Sequence, residues 1–202
     1  MSPLMWYLIA YLVGGIPFGY LIAKYFAGID IKKHGSGNIG ATNVLRVLKA
    51  QDATKAKKLA AITLFLDAFK GAFVLLVAKF AGVCPAVLWG MAVMAVIGHC
   101  FSPYLWFEGG KGVATTAGVL LVLVPKAVLV AVAVWYIMAK TVRISSLSSL
   151  TAIVVGILST YLLYPELPIH SHAPLLIIGF VVLYKHKENI YRLIIGEEKR
   201  VI

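Results

Sequence analysis

The stretch GHCFSPYLWFEGGKGVATTAG, residues 98–118, ends one hydrophobic segment and begins the next. It contains a histidine, a Gly-Gly-Lys-Gly turn and two threonines. Glycine lets backbone N–H groups approach an anion closely, lysine adds a positive charge, and the start of a helix offers further donors. The stretch therefore predicts a phosphate-binding turn at a membrane surface, formed by Gly109, Gly110, Lys111 and Gly112. The alternative is an ordinary glycine-rich turn between two membrane helices.

The composition is that of a membrane protein. Of the 202 residues, 61% are hydrophobic and 13% are charged, whereas charged residues make up about 25% of a soluble domain. We therefore predict an all-α polytopic membrane protein with a single domain, residues 1–202. The basic residues that give the net charge of +11 lie between the apolar segments. This placement favours membrane lipids and phosphorylated substrates, and not nucleic acid, as partners.

The apolar segments predict seven transmembrane helices with the N-terminus outside and the C-terminus in the cytoplasm. Of the 19 basic residues, this topology leaves only Lys70, Lys79 and Lys126 away from the inner face, in accord with the positive-inside rule. No basic residue precedes the first segment, which indicates a retained span and not a cleaved signal peptide. In the alternative, five spans and re-entrant segments, residues 113–139 form one long kinked helix. The seven predicted spans are residues 3–23, 53–80, 86–101, 113–124, 127–139, 147–163 and 173–184.

A second polar motif, HGSGNIGATNVLR, occupies residues 34–46 of the first loop. A helix capped by Ser36 or Asn38 would place Asn38, Thr42 and Arg46 on one face. The planar guanidinium of Arg46, beside Ser and Asn donors, suits a phosphate or a carboxylate. The alternative is a capped helix at the membrane surface.

Two further groups of polar residues could join such a site. Arg143 precedes several serines near the start of a helix, where it could bind a second phosphate or simply lie at an inner membrane boundary. In the tail, His186, Asn189 and Arg192 fall on one helical face. In contrast, Asp67 and Lys70, one turn apart in an apolar helix, are expected to pair with each other in the bundle interior.

Several familiar catalytic patterns are absent from the sequence. It contains no HExxH, no GxSxG elbow, no GxxxxGK[ST] loop and no HxxxxD acyltransferase motif. We therefore expect no bound metal. Cys84 and Cys100 fall at opposite ends of one predicted helix, too far apart for a disulfide.

Taken together, the motifs resemble the bacterial acyl-phosphate:glycerol-3-phosphate acyltransferase family (the PlsY type). The matching stretches are residues 35–43, residues 99–101 with 109–114, and residues 186–193 with Gly196 and Glu198. Glu108, directly before Gly109, departs from the small or basic residue expected there. The resemblance implies catalytic roles for His186, Asn189, Asn38 and Lys111. It implies substrate binding by Ser36, Gly37, Thr42, Asn43, Arg46, His99, Gly109, Gly110, Gly112, Arg143, Ser145, Ser146 and Arg192.

The resemblance also implies the reaction and its setting. A fatty acyl group would pass from acyl phosphate to the 1-hydroxyl of glycerol 3-phosphate, giving lysophosphatidic acid and phosphate. The implied enzyme needs no cofactor, uses neither acyl-CoA nor acyl carrier protein as direct donor, and lies in the bacterial inner membrane with its site at the cytoplasmic face. A membrane transporter of small phosphorylated solutes is the alternative, although transporter sites usually lie near the midplane.

Overall fold

The structure, a computed structural model, describes residues 1–200 and is helical throughout these residues, with no strand. Short 3₁₀ helices lie at Ile31–Lys33 and Pro103–Leu105. The prediction of an all-α protein is therefore confirmed for this part of the chain. Its α-helices are α1 Pro3–Gly15, α2 Phe18–Ala27, α3 Ala41–Leu48, α4 Ala53–Phe80, α5 Pro85–Cys100, α6 Val113–Leu123, α7 Pro125–Thr141, α8 Ser145–Leu163, α9 Ala173–Lys185 and α10 Lys187–Ile194.

Four segments are long and apolar enough to cross a membrane: Pro3–Ala27, Ala53–Phe80, Pro85–Leu105 and Ser145–Leu163. Two shorter apolar helices, α6 and α9, add to them. The structure differs from the predicted first span, because the chain breaks before Pro17 and forms α1 and α2 in place of one helix over residues 3–23. Proline lacks the backbone N–H that a continuous helix needs. Pro125 separates α6 from α7, as the boundary between the predicted spans 113–124 and 127–139 requires.

The bundle is built from three extensively packed helix pairs: α1 with α5, α4 with α6, and α7 with α8. Close approach between α1 and α5 depends on glycine. A methyl group at Gly14 would overlap the backbone of Ala95, and one at Gly98 would overlap the carbonyl of Tyr11. Small residues at crossings let helix backbones approach closely in membranes. These contacts place the end of α5 against α1.

Helix α4 presents an apolar face outward and a polar face inward. Phe65, Phe69 and Phe73 are exposed and stack along the helix, with ring centroids 5.6 and 5.5 Å apart. Such an exposed apolar stripe suits contact with lipid. Asp67 and Lys70 lie on the buried side, each only 3% exposed. Their side chains are 2.9 Å apart, which confirms the predicted pair.

Helix α3 begins later than the sequence suggests. Its N-cap is Gly40, and Asn38 lies before the cap with its Oδ1 accepting a hydrogen bond from Gly40 N at 2.8 Å. The prediction that Ser36 or Asn38 caps a helix carrying Asn38 on its polar face is therefore corrected. Thr42 and Arg46 do lie on this helix. Val44 and Leu48 bury its other side in a small core against α2 and α4.

Candidate active site

The polar motifs meet at a cavity of about 700 Å³. Ser36 and Arg46 come from the first loop and α3, Lys111 from the loop before α6, and His186 from the junction of α9 and α10. The chain positions are far apart, so only the bundle packing brings them together. Of the predicted site residues, the cavity is also lined by Asn38, Thr42, Asn43, His99, Gly112, Ser145, Ser146, Asn189 and Arg192.

Asn43 holds the first polar loop in shape. It is 2% exposed; its Oδ1 accepts a hydrogen bond from Ser36 N at 2.9 Å, and its amide donates to the carbonyls of His34 and Asn38 at 3.0 and 2.8 Å. Gly35 has a φ of 63°, a conformation that glycine tolerates best. Since its polar groups are engaged within the loop, Asn43 positions Ser36, and this geometry does not fit the predicted direct contact with substrate. Gly37 does not line the cavity.

The first loop is tied to the start of α8 by hydroxyl groups. Thr42 Oγ1 and Ser145 Oγ lie 3.1 Å apart. The N-cap of α8 is Ile144, so neither Ser145 nor Ser146 caps the helix. Both serines begin the first turn, next to helix N–H groups that favour an anion. They therefore extend the donor-rich wall of the cavity.

Arg143 does not take the predicted place. It is exposed, has a φ of 63°, and is not among the cavity residues. The turn between α7 and α8 carries its backbone in the left-handed region and leaves its side chain outside. The sequence spacing to Ser145 could not reveal this turn. The assignment of Arg143 as a second phosphate clamp does not fit this geometry.

A hydrogen-bonded group of five residues, here called the cavity network, joins the tail to the rest of the site. Glu198 accepts from Ser146 Oγ at 2.6 Å, from Asn189 Nδ2 at 2.5 Å and from Arg192 Nε at 2.6 Å. Lys111 Nζ donates to Asn189 Oδ1. The network therefore consists of Lys111, Ser146, Asn189, Arg192 and Glu198.

Glu198 is the centre of this network, although the sequence analysis gave it no role. Burial raises the pKa of its carboxyl, but hydrogen bonds from Ser146, Arg192 and Asn189 lower it, and the pKa lies below its usual range. The carboxylate is thus charged at neutral pH. Its match to the family pattern was the one signal in the sequence that could have identified it.

Lys111 combines charge with partial burial. Burial lowers the pKa of its ammonium group to about 8, while the Glu198 carboxylate acts in the opposite direction. The nearby Arg192 and Arg46 lower this pKa further. An anion bound beside Lys111 would favour the charged form, because opposite charges nearby stabilise it. The local charge therefore favours binding of phosphate.

His186 is buried, with 2% of its surface exposed. Its Nδ1 lies 2.7 Å from the carbonyl of Val182; since a carbonyl only accepts, Nδ1 carries the proton and Nε2 is left with a lone pair. Burial lowers the pKa of this imidazole to about 4. Asn189 does not bond to the imidazole; it bonds to Lys111 and Glu198. The backbone of α9 orients the ring.

Gly109 and Gly110 lie outside the cavity lining. Their N–H groups donate to the carbonyls of Cys100 at 3.2 Å and His99 at 2.9 Å, so they are not free to bind an anion. Neither glycine lines the cavity, whereas Lys111 and Gly112 do. Glu108, the residue that departs from the family pattern, forms an ion pair with Lys32 at 2.5 Å. The loop thus folds back on α5 and presents Lys111.

The cavity also contains residues that the sequence analysis did not single out. Trp135 lines it and donates from Nε1 to Ser149 Oγ at 3.2 Å. Apolar residues of α4 and α7, such as Leu64 and Val132, form part of the wall. An apolar residue on a membrane helix gives no signal that it faces a site. Among residues 1–200, no group of three or more His, Cys, Asp or Glu side chains is placed to bind a metal ion.

A smaller apolar cavity of about 80 Å³ lies between α6, α7 and α8. Val113, Ala117 and Val132 line both cavities. The hydroxyl of Thr116, which also lines the smaller cavity, is buried without a hydrogen-bond partner in the described residues. The apolar side cavity therefore adjoins the main cavity.

These features describe a helical membrane protein whose cavity combines cations and hydroxyl donors with an apolar extension. Such a site suits a phosphorylated lipid. The sequence model of the glycerol-3-phosphate acyltransferase family matches residues 4–196, and the chain belongs to this family.

Curated relatives and solved structures agree with this membership. The glycerol-3-phosphate acyltransferase of Sulfurimonas denitrificans is 58% identical over 97% of this chain and 95% of its own length. The glycerol-3-phosphate acyltransferase of Wolinella succinogenes is 55% identical over 97% of this chain and 95% of its own length. The crystal structure of PlsY (YgiH), an integral membrane glycerol 3-phosphate acyltransferase in its glycerol 3-phosphate form, matches with a TM-score of 0.87 at 37% identity, covering 99% of this chain and 96% of that one. The family that the sequence motifs resemble is thereby confirmed.

Proposed function

We propose that this protein transfers a fatty acyl group from acyl phosphate to the 1-hydroxyl of glycerol 3-phosphate, forming lysophosphatidic acid and phosphate. The acyltransferase class follows from the family, and the finer statement concerns the donor and the position acylated. Solved structures of PlsY are described as its glycerol 3-phosphate and lysophosphatidic acid forms, which supports this substrate and this product. The observation that carries the proposal is the single cavity lined by Ser36, Arg46, Lys111 and His186.

The reaction requires little activation of the donor. Acyl phosphate is a mixed anhydride, so the bond from its carbonyl carbon to the phosphate oxygen is already reactive. The hydroxyl oxygen of glycerol 3-phosphate forms a bond to that carbon, phosphate leaves with the electron pair, and the hydroxyl proton passes to an acceptor. The protein has to place two phosphorylated molecules together and stabilise the charge that develops.

The residues divide between the two substrates. Ser36 and Arg46 hold glycerol 3-phosphate, because α3 and its preceding loop present both to the cavity. Lys111, at the start of α6, neutralises the phosphate that leaves. Asn38 or backbone N–H groups stabilise the carbonyl oxyanion. Preorganised donors of this kind act where charge develops in the transition state.

The proton acceptor is either His186 or a phosphate oxygen of a substrate. The Nε2 lone pair of His186 is available, since Nδ1 donates to Val182. Its pKa of about 4 keeps the imidazole neutral at pH 7 but also makes it a weak base. Replacing His186 by Ala distinguishes the two routes: near-normal turnover at saturating substrate indicates that a substrate oxygen takes the proton.

The acyl tail occupies the apolar part of the site. From the reacting carbonyl it extends along Leu64 and Val132 into the side cavity between α6, α7 and α8. The tail can enter sideways from the bilayer, because the helices around the cavity present apolar residues outward. The substrates thus reach the site from two phases, one substrate from water and the other from lipid.

The topology proposed with this function has seven spans in one domain, residues 1–202, in the bacterial inner membrane. The N-terminus lies outside and the active site faces the cytoplasm, where glycerol 3-phosphate would be supplied. The distribution of basic residues supports this orientation. Cys84 is exposed and falls in an outer loop of this topology, so the test uses a Cys84→Ser background. There, a cysteine introduced at Lys126 should react with an impermeant maleimide from outside intact cells and one at Lys140 should not; the reverse pattern would contradict the orientation.

An assay with purified protein in detergent tests the function. Palmitoyl phosphate and labelled glycerol 3-phosphate should give lysophosphatidic acid and phosphate in equal amounts, and palmitoyl-CoA or palmitoyl acyl carrier protein should give none. Detergent abolishes transport, so a transporter of phosphorylated solutes would form no product. Absence of lysophosphatidic acid with folded protein would reject the proposed reaction.

A further inference from the structure

A buried cluster of three residues, here called the interior cluster, lies beside the cavity. Asp67 and Lys70 come from α4 and His99 from α5, and they are 3%, 3% and 4% exposed. The proposed reaction assigns no role to Asp67 or Lys70. Charged groups inside a membrane protein are costly and commonly functional. The geometry of this cluster determines the protonation of His99.

Lys70 donates to three acceptors. Its Nζ lies 2.9 Å from Asp67 Oδ1, 2.7 Å from the carbonyl of Ile16 and 3.0 Å from His99 Nδ1. An ammonium group has three N–H donors and no acceptor, so each proton has one partner. The third proton is directed at His99, and Nδ1 must accept it.

This contact fixes the tautomer of His99. A neutral imidazole has one N–H and one lone pair. Because Nδ1 is the acceptor from Lys70, the proton of the ring lies on Nε2. His186 has the opposite arrangement, with its proton on Nδ1 (towards Val182). The two histidines of the cavity therefore offer different groups, a donor from His99 and a lone pair from His186.

The Nε2 edge of His99 lies against the loop formed by residues 109–112. A methyl group at Gly110 would overlap Nε2, so glycine keeps this edge uncovered. The N–H of Gly110 donates to the His99 carbonyl, which fixes the loop to the same residue. Within residues 1–200, no side chain or backbone group accepts a hydrogen bond from Nε2, and His99 lines the cavity. Lys111, which we assign to the leaving phosphate, is the next residue.

We propose that Lys70, held by Asp67 and the Ile16 carbonyl, is a positioning residue that keeps the proton of His99 on Nε2, and that this N–H donates to a phosphoryl oxygen of bound acyl phosphate. The inference rests on the proposed function for the identity of the ligand. His99, at the end of α5, and Lys111, in the loop whose Gly110 packs against His99, then contact the same leaving phosphate. Lys70 does not line the cavity; Asp67 does, and its carboxylate accepts the hydrogen bond from Lys70.

Two substitutions at His99 separate this role from a structural one. The amide of Gln reaches the position of Nε2, so His99→Gln keeps a donor towards the cavity and loses the acceptor for Lys70. The amide of Asn lies at the position of Nδ1, so His99→Asn keeps the acceptor and loses the donor. If His99 only accepts the hydrogen bond from Lys70, His99→Asn should retain more activity than His99→Gln. If His99 binds substrate, His99→Gln should retain more activity.

We expect kcat/KM for palmitoyl phosphate to fall less than about 10-fold in His99→Gln and about 100-fold in His99→Asn, the low end for loss of one such donor. KM for glycerol 3-phosphate should change little in either variant. Thermal unfolding confirms that both variants are folded. Activity of His99→Asn equal to or above that of His99→Gln would overturn the proposed donor.

A second measurement does not depend on turnover. In protein labelled with ¹⁵N-histidine, NMR should show His99 with a protonated Nε2 and an unprotonated Nδ1, and a non-reactive phosphonate analogue of palmitoyl phosphate should shift the Nε2 signal. The His99→Gln spectrum identifies the resonances. In the double variant Asp67→Leu/Lys70→Met, which removes both charges together, both tautomers should appear. A proton on Nδ1 in the unaltered protein, or an unchanged tautomer in the double variant, would overturn the role of Lys70. Failure of the proposed function would appear instead as absence of lysophosphatidic acid with an intact Nε2–H.

Discussion

The interior cluster and the cavity network bury charge in different ways. In the interior cluster all three protons of Lys70 meet an acceptor within the bundle. In the cavity network the carboxylate of Glu198 accepts hydrogen bonds from three donors. Among the described residues Lys111 has one partner, Asn189, and it lines the cavity. A buried donor that lacks a hydrogen-bond partner costs free energy, which a bound ligand can recover by accepting from it. The closed cluster therefore serves to position other groups, and the open network leaves a cation available to a ligand.

The largest effect on activity is expected from removing the charge of Lys111, the cation that remains available to a ligand. Lys111→Met should lower kcat/KM for palmitoyl phosphate about 1,000-fold, since the loss of one group that stabilises developing charge costs about 10²–10³-fold and Lys111 carries a full charge. Lys126→Met is the matched control, because Lys126 is exposed and far from the cavity lining. Steady-state kinetics in detergent measures both. A fall in kcat/KM of less than 10-fold for Lys111→Met would mean that Lys111 does not bind the phosphate of the donor.

Breaking the closed cluster should affect stability first. Asp67→Ala leaves the Lys70 ammonium without its carboxylate, and breaking a buried ion pair costs about 3–5 kcal/mol. We expect a markedly lower midpoint of thermal unfolding in detergent, compared with the conservative surface change Glu166→Gln, at an exposed residue that does not line the cavity. An unchanged midpoint would show that the cluster is not a stabilising pair.

A bulky substitution at the apolar side cavity tests whether the acyl chain extends from the main cavity into the space between α6, α7 and α8. Ala117 lines both cavities, so Ala117→Phe should block the passage between them. We expect kcat/KM for palmitoyl phosphate to fall about 10-fold or more relative to octanoyl phosphate, since each lost methylene contact costs about 0.8 kcal/mol. Leu129→Phe, at an exposed position of α7, is the control. An equal loss with both donors would place the chain elsewhere.

The pH profile measures how the cavity network tunes its cation. The pKa of Lys111 is about 8, so its charged form is lost as the pH rises through 8, and kcat/KM should fall there. The carboxylate of Glu198 raises this pKa. In Glu198→Gln the falling limb should therefore move to lower pH, with a loss of a few-fold at pH 7.5. A limb that stays in place would show that Lys111 is not the titrating group.

The smallest effect is expected from the arginine that the structure places outside the cavity. Arg143→Ala should change kcat/KM for glycerol 3-phosphate less than about two-fold, because its side chain is exposed. Arg46→Ala, at the cavity wall, is the comparison and should raise KM for glycerol 3-phosphate strongly. A large effect of Arg143→Ala would indicate that the Arg143 side chain binds a substrate phosphate after all.

The sequence predicted most of the fold, because apolar length and the placement of basic residues report directly on membrane helices. The break before Pro17 divided the first predicted span into α1 and α2 without changing the order of helices, and the predicted break at Pro125 is confirmed. The site was less predictable where side chains act through tertiary contacts. Asn43 and Gly110 belong to motifs that suggest ligand binding, yet their polar groups are used inside the protein. Glu198 gains its role only when the tail folds onto α8.

The central claim is that one cavity holds both phosphates, with Ser36 and Arg46 on one side and Lys111 on the other. A crystal structure with glycerol 3-phosphate and a phosphonate analogue of palmitoyl phosphate tests it most directly. We expect the phosphate of glycerol 3-phosphate within hydrogen-bond distance of Ser36 and Arg46, and the phosphonate beside Lys111 and His99 Nε2. Binding of either ligand outside this cavity, for example at Arg143, would contradict it.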